Sequence, residues 1–152
     1  MPTTIESLDR ELTELLHARG QRVTPQRIVL NRVLRGTRQH VTAEDVLREV
    51  TGKLPNVSLP TVYSTLELFE ELGLVRRVAT EGGPALFDSR IDEHQHVVCR
   101  SCGRVQDLET AVDDSRARAA ARRAGFEPEH TDVVLVGTCR DCSRRQARRP
   151  RV

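Results

Sequence analysis

Four cysteines fall into two identical knuckles, Cys99-x-x-Cys102 and Cys139-x-x-Cys142. Two thiolates at this spacing in a tight turn can grip one cation, and two such turns complete a tetrahedron. Gly103, directly after the first pair, suits the sharp turn. The linker between the pairs is longer than in a compact zinc ribbon, so the site would pin the end of the chain back onto the first knuckle. Four thiolates leave no open coordination position, which points to a structural Zn2+ ion rather than a catalytic one. The competing chemistry for such pairs is a redox-active dithiol.

A second candidate set stands just upstream, in Glu93-His94-Gln95-His96. Alternate residues of a strand share a face, so His94 and His96 point the same way and form half of a metal site. A His-x-His pair is also compatible with ordinary histidines. Asp88 lies on the preceding linker, Asp107 on the next strand and His40 at the start of a distant helix. Spacing alone joins none of them to the pair. His17 and His130 read as surface histidines.

The elements that must position these groups follow from periodicity. Ile5, Leu8, Leu12, Leu15 and Leu16 repeat at helical spacing and stop at Gly20. A second helix starts at Thr24-Pro25, a cap followed by proline in the first turn, and ends near Gly36. Its expected core residues are Ile28, Val29 or Leu30, Val33 and Leu34. A third starts at Thr42, with Glu44 and Asp45 at its positive end, and carries Val46, Leu47 and Val50. In a fourth, Val62, Leu66 and Phe69 face inward while Pro60, Tyr63, Ser64 and Glu67 face out. Two short strands, 74–79 and 85–87, flank a turn at Glu81-Gly82-Gly83. Three helices, an exposed fourth and a hairpin describe a winged helix-turn-helix ending near Asp88.

The pattern then restarts. Strands are expected over 95–99 and 104–108, a helix over 110–124, and a strand over Thr131–Val136, whose continuous β-branched run reads as the best-buried strand of the chain. Residues 144–152 carry five arginines and a proline and read as a disordered tail. The fold class is therefore α+β: a winged-helix domain over 1–88, a small α/β domain with the four-cysteine site over 89–143, and a basic tail over 144–152.

A chain of 152 residues with 38% hydrophobic content suits one domain or two small ones. No apolar run approaches membrane-spanning length, so no transmembrane helix is expected. The opening MPTTIESLDRELTELL is acidic and amphipathic, unlike a secretory signal, so a cytoplasmic location with reduced thiols is expected. The net charge of +2 says little. Its distribution says more: Arg19, Arg22, Arg27, Arg32, Arg35 and Arg38 follow one another with no acid between them. Such a run can bind phosphates or be a solvated helix face.

Four motifs in order resemble one known family: Arg-Val-Thr-Pro-Gln-Arg (22–27), Thr-Val-Tyr-Ser-Thr-Leu (61–66), Glu-Glu-Leu-Gly-Leu-Val (70–75) and His-Gln-His-Val-Val-Cys-Arg-Ser-Cys-Gly (94–103). Together they look like the ferric uptake regulator family, and within it the sequence is most similar to the peroxide-responsive repressors. The resemblance runs from about residue 10 to Cys142. It implies a homodimer that binds a double-stranded DNA operator, an inverted repeat, through the winged helix and dimerises through the second domain. It places a regulatory Fe2+ or Mn2+ on His40, Asp88, His94, His96 and Asp107. Aspartate at 107 is the type it associates with peroxide sensors, where glutamate marks iron sensors. His40 and His94 are then the candidates for oxidation. Arg22 and Arg27 would hold phosphates, and Thr61, Tyr63 and Ser64 would lie at the base edges. Ser64 departs from the pattern, since an arginine is frequent there. Glu93 and Gln95 depart as well, standing where other members carry extra ligands.

The function expected is a metal-dependent transcriptional repressor that senses peroxide by oxidation of a ligand histidine. The alternative in the same class is an iron- or zinc-uptake repressor that senses metal level only. A zinc-stabilised constitutive binder is a third reading, and a metal-dependent hydrolase is the enzyme alternative. No general base at a telling spacing, nucleophile elbow or phosphate loop supports the last.

Overall fold

The computed structural model describes residues 4–37, 40–78, 80 and 82–148. It divides into two compact units: one takes the chain through Ala79 and again Pro84–Ile91, the other takes Thr80–Gly83 and everything from Asp92.

The first unit is built on capped amphipathic helices. Thr4 caps α1 (Ile5–Ala18), accepting from the Ser7 N–H at 3.3 Å. Leu12 and Leu16 of α1 are fully buried, whereas Ile5 is exposed. Thr24 caps α2 (Pro25–Gly36), with Pro25 in its first turn, where proline's missing N–H costs nothing. Leu30 and Leu34 are its buried apolar residues, and Ile28, Val29 and Val33 pack against the same cluster. α3 (Ala43–Thr51) opens with a reciprocal capping box between Thr42 and Asp45. α4 (Leu59–Glu71) starts at the Ser58 cap. Its inner face buries Val62, Leu66 and Phe69 completely, and Ser64 and Glu67 lie outside, as the periodicity predicts. Gly73, at a φ of 71°, ends the helix in a conformation that favours glycine.

A hairpin closes this unit: β1 (Arg76–Val78) pairs antiparallel with β2 (Leu86–Asp88). Val41 adds an antiparallel bridge to Phe87, with N–H···O bonds of 3.0 and 2.8 Å in the two directions. In antiparallel register this pairing brings the next two residues, His40 and Asp88, side by side.

The second unit is a three-stranded sheet in the order β4-β3-β5. β3 (Gln95–Cys99) is central, antiparallel to β4 (Val105–Leu108) and parallel to β5 (Val134–Gly137). α5 (Ser115–Arg123) and α6 (Arg140–Ala147) complete it. Three expectations need correction here. The β-branched run at 131–136 does not become the best-buried strand: β5 lies at the sheet edge with Leu135 53% exposed, and β3 is the buried one. Branching promotes extended backbone but does not decide a strand's place in the sheet. The helix expected from 110 starts only at Ser115 and buries nothing. The stretch expected as disordered from 144 is helical through Ala147, because α6 is anchored at its start by Cys142; residues 149–152 lie outside the described ones. Among the described residues no helix is long and apolar enough to cross a membrane.

Candidate metal centres

The four cysteines meet in the second unit. All are free thiols, and their Sγ atoms lie within 4.8 Å of one another. Cys99 ends β3, and Cys102 follows in the turn that Gly103 closes at a φ of 73°, its N–H donating to the Cys99 carbonyl at 2.8 Å. Cys139 caps α6 and Cys142 lies in its first turn, where it is buried. A tetrahedral zinc ion with bonds of ~2.3 Å requires sulfur–sulfur edges of about 3.8 Å. The Cys102–Cys139 edge is 3.9 Å, close to that value, and the four sulfurs lie near enough together to share one ion. The backbone also favours thiolate. The Cys139 N–H donates to Cys99 Sγ at 3.3 Å; this bond, helped by the Cys102 and Ser101 amides, holds the Cys99 thiol down at about 6. Burial instead pushes the Cys142 thiol up to about 11, although Arg145 donates to its sulfur at 3.3 Å. A cation that displaces the protons resolves this conflict.

The nitrogen and oxygen donors are divided between the units. In the first, His40 Nε2 lies 3.5 Å from Asp88 Oδ2, placed by the Val41–Phe87 bridge. The other carboxylate oxygen of Asp88 accepts from the Arg90 N–H at 2.8 Å, which fixes its plane. In the second, His94 and His96 present their Nε2 atoms 3.0 Å apart. Asp107, directly across from His96 in the β3–β4 register, places Oδ1 3.8 Å from each. The alternation read from the sequence aligns the two histidines, and the β3–β4 register, which spacing did not give, adds Asp107. His94 Nδ1 lies 2.8 Å from the Asp92 carbonyl. That bond makes Nδ1 the protonated nitrogen and turns the Nε2 lone pair toward its neighbours. Two metal–nitrogen bonds of ~2.1 Å at a right angle would set the nitrogens about 3.0 Å apart, the separation observed. Imidazole and carboxylate together suit a first-row divalent ion such as Fe2+ or Mn2+.

The residues expected to meet DNA belong to the first unit. Arg22, Arg27, Thr61 and Ser64 line one open cavity of about 450 Å³ between the start of α2 and the start of α4. Arg27 is anchored there, donating to the Arg22 carbonyl at 2.6 Å and to Gln21 Oε1 at 3.3 Å. Tyr63 points elsewhere, its hydroxyl donating to Glu44 Oε1 at 3.4 Å. The unbroken arginine run is not one basic surface. Arg32 pairs with Asp9 and Arg35 with Glu11 at 3.5 Å, both acids coming from α1; Arg38 lies outside the described residues. Sequence reasoning missed Arg145, because it assigned that residue to the tail. Once α6 is helical, the i,i+3 spacing from Cys142 is the signal that would have found it.

A helical unit with an outward-facing fourth helix and a two-stranded wing, followed by a sheet unit built around four thiolates, defines a winged-helix regulator. The chain belongs to the ferric uptake regulator family, whose pattern matches residues 18–136; it is a transcriptional regulator and not an enzyme. It is 34% identical over 137 residues to the peroxide operon regulator of Bacillus subtilis, covering 90% of this chain and 94% of that one. Among solved structures it is similar to the ferric uptake regulator of Pseudomonas aeruginosa with manganese, at 33% identity and a TM-score of 0.68 over 86% of this chain and 98% of that one. The Helicobacter pylori ferric uptake regulator Fur shares the fold, with a TM-score of 0.75 at 20% identity over 92% and 94% of the two chains.

Proposed function

We propose that the protein is a homodimeric repressor of the cytoplasm that binds an inverted-repeat operator when His40, Asp88, His94, His96 and Asp107 share one Fe2+ or Mn2+ ion, and that peroxide ends repression. The observation that carries this reading is the placement of His94, His96 and Asp107, with two imidazole nitrogens at the spacing of adjacent ligands and a carboxylate equidistant from both. The likeness to the Bacillus subtilis peroxide operon regulator supports the choice of signal.

The residues of the chain do the following work. The Asp92 carbonyl holds the His94 ring, so that Nε2 offers its lone pair. The Val41–Phe87 bridge keeps His40 beside Asp88. Because two donors come from one unit and three from the other, an ion held by all five fixes the angle between the units. In a dimer that angle sets the separation of the two α4 helices, which must be ~34 Å or a multiple to enter successive major grooves. Arg22 and Arg27 hold phosphates, while Thr61 and Ser64, on the same cavity, lie at the bases. Bound iron(II) supplies the reaction with hydrogen peroxide; in the net change a ligand histidine, His40 or His94, gains one oxygen atom from the peroxide and water is released. An oxidised imidazole ligates poorly, the two units uncouple, and the operator is released.

The test treats the iron-loaded and manganese-loaded dimers with hydrogen peroxide, followed by mass spectrometry and operator binding. One added oxygen on His40 or His94 in the iron form, with loss of DNA, is expected; the manganese form should keep both histidines and the DNA. No added oxygen in either form, with DNA retained, would leave a repressor that senses metal level alone.

A further inference from the structure

The four-cysteine centre presents α6 in one orientation. Cys142 is buried, Arg145 donates to its sulfur, and Gln146 donates to the Ser101 hydroxyl at 3.3 Å on the opposite knuckle. At ~100° per residue the far side of this helix carries Arg140, Arg144 and Arg148. All three are exposed. Asp141, the one acid of α6, lies 3.6 Å from Arg104 and so does not neutralise them. Among the described residues none of the three has an acidic partner. Two more arginines, Arg149 and Arg151, follow in the sequence.

We propose that this stripe is a second, sequence-independent contact for the sugar-phosphate backbone of duplex DNA, separate from the winged helix. Three guanidinium groups in steps of ~6 Å extend over about 12 Å, a length comparable with the span of a few successive phosphates on one DNA strand. The remaining composition of the helix selects this partner over others. A helix that lies on a membrane needs an apolar face, and a protein-docking helix needs apolar or aromatic anchors. α6 has neither: its one buried side chain is Cys142, and none of the exposed large hydrophobic residues belongs to it. What it offers is fixed positive charge on a platform clamped by the thiolates. This role of the stripe is independent of peroxide sensing.

The test uses the full-length, zinc-loaded protein and a random-sequence duplex without an operator. Binding is measured across a salt series for the wild type and for Arg140→Gln/Arg144→Gln/Arg148→Gln, glutamine being a good helix former. Each lost phosphate contact lowers the slope of log K against log salt by ~0.9. The triple variant should therefore lose about 2 to 3 in slope per chain with its zinc content unchanged. Arg144→Gln alone should lose about 0.9 and serves if the triple variant loses its zinc. Arg116→Gln/Arg122→Gln/Arg123→Gln on α5 removes the same charge and should leave the slope as it is. An unchanged slope in the α6 variants overturns the proposal, and so does an equal fall in both triple variants. Loss of binding to phosphatidylserine vesicles with the duplex slope intact would assign the stripe to membranes and overturn it as well.

Discussion

The two units are held together by different physics. Among the described residues, every buried apolar side chain except Val98, Cys99 and Cys142 belongs to the first unit, where Leu12 through Phe87 form one continuous cluster. The second unit buries His94, Gln95 and His96 in addition to those three. Gln95 is not a ligand there: its Oε1 accepts from the Val133 N–H at 2.9 Å, tying β3 to the approach to β5. An apolar core resists small changes in solution chemistry, whereas a sheet stapled by thiolates and lined by imidazoles responds to metal, oxidant and protons. The first unit therefore rests on apolar burial, whereas the second has few apolar side chains to hold it beyond Val98 and its cysteines.

The zinc site offers the deepest cut into that contrast. Cys142→Ser removes a zinc ligand whose site contributes on the order of 10 kcal/mol to folding. The expected result is loss of zinc and of the β3–β5 sheet, with the first unit still folded. Hydrogen exchange resolved by segment would show it, and a protected second unit without zinc would contradict the division. The reciprocal change is Leu66→Ala, which empties a fully buried position and should cost about 3 kcal/mol. Here the first unit should melt earlier while the thiols stay protected and one zinc equivalent is retained.

The smallest effect sharpens the picture at a single cap. Thr42→Ala should destabilise the first unit by about 1 kcal/mol, read as a shift in its denaturation midpoint. The Asp45 carboxyl is held below its ordinary range by the Thr42 N–H and hydroxyl, then by Arg48. A carboxylate lowered in the folded state stabilises fully above its unfolded pKa of ~4 and loses that contribution as pH falls through the folded value. The difference between wild type and Thr42→Ala should therefore shrink on acidification below about pH 4, and a constant difference would remove Asp45 from the account.

The parts of this molecule legible in the sequence are those encoded over short distances. The cysteine knuckles, the His94/His96 alternation, the Thr24-Pro25 and Thr42 starts and the inner face of α4 all depend on neighbours a few positions apart. The illegible parts depend on a distant partner. Arg32 and Arg35 looked like a phosphate surface because Asp9 and Glu11 lie a helix away. Residues 131–136 looked buried because β-branching reports extended backbone, not rank within a sheet. Arg144 and Arg145 looked disordered because their composition outweighed the anchor at Cys142. Spacing gave no grouping of His40 and Asp88 with the histidine pair; that expectation came from the family resemblance alone.

Leu135 and Val136 stand on the open margin of the sheet. A bare strand margin is sticky by nature, since its backbone groups and apolar side chains accept whatever adheres. For this chain that margin is a place where a further strand can pair, and a charged side chain set there would close it to such pairing.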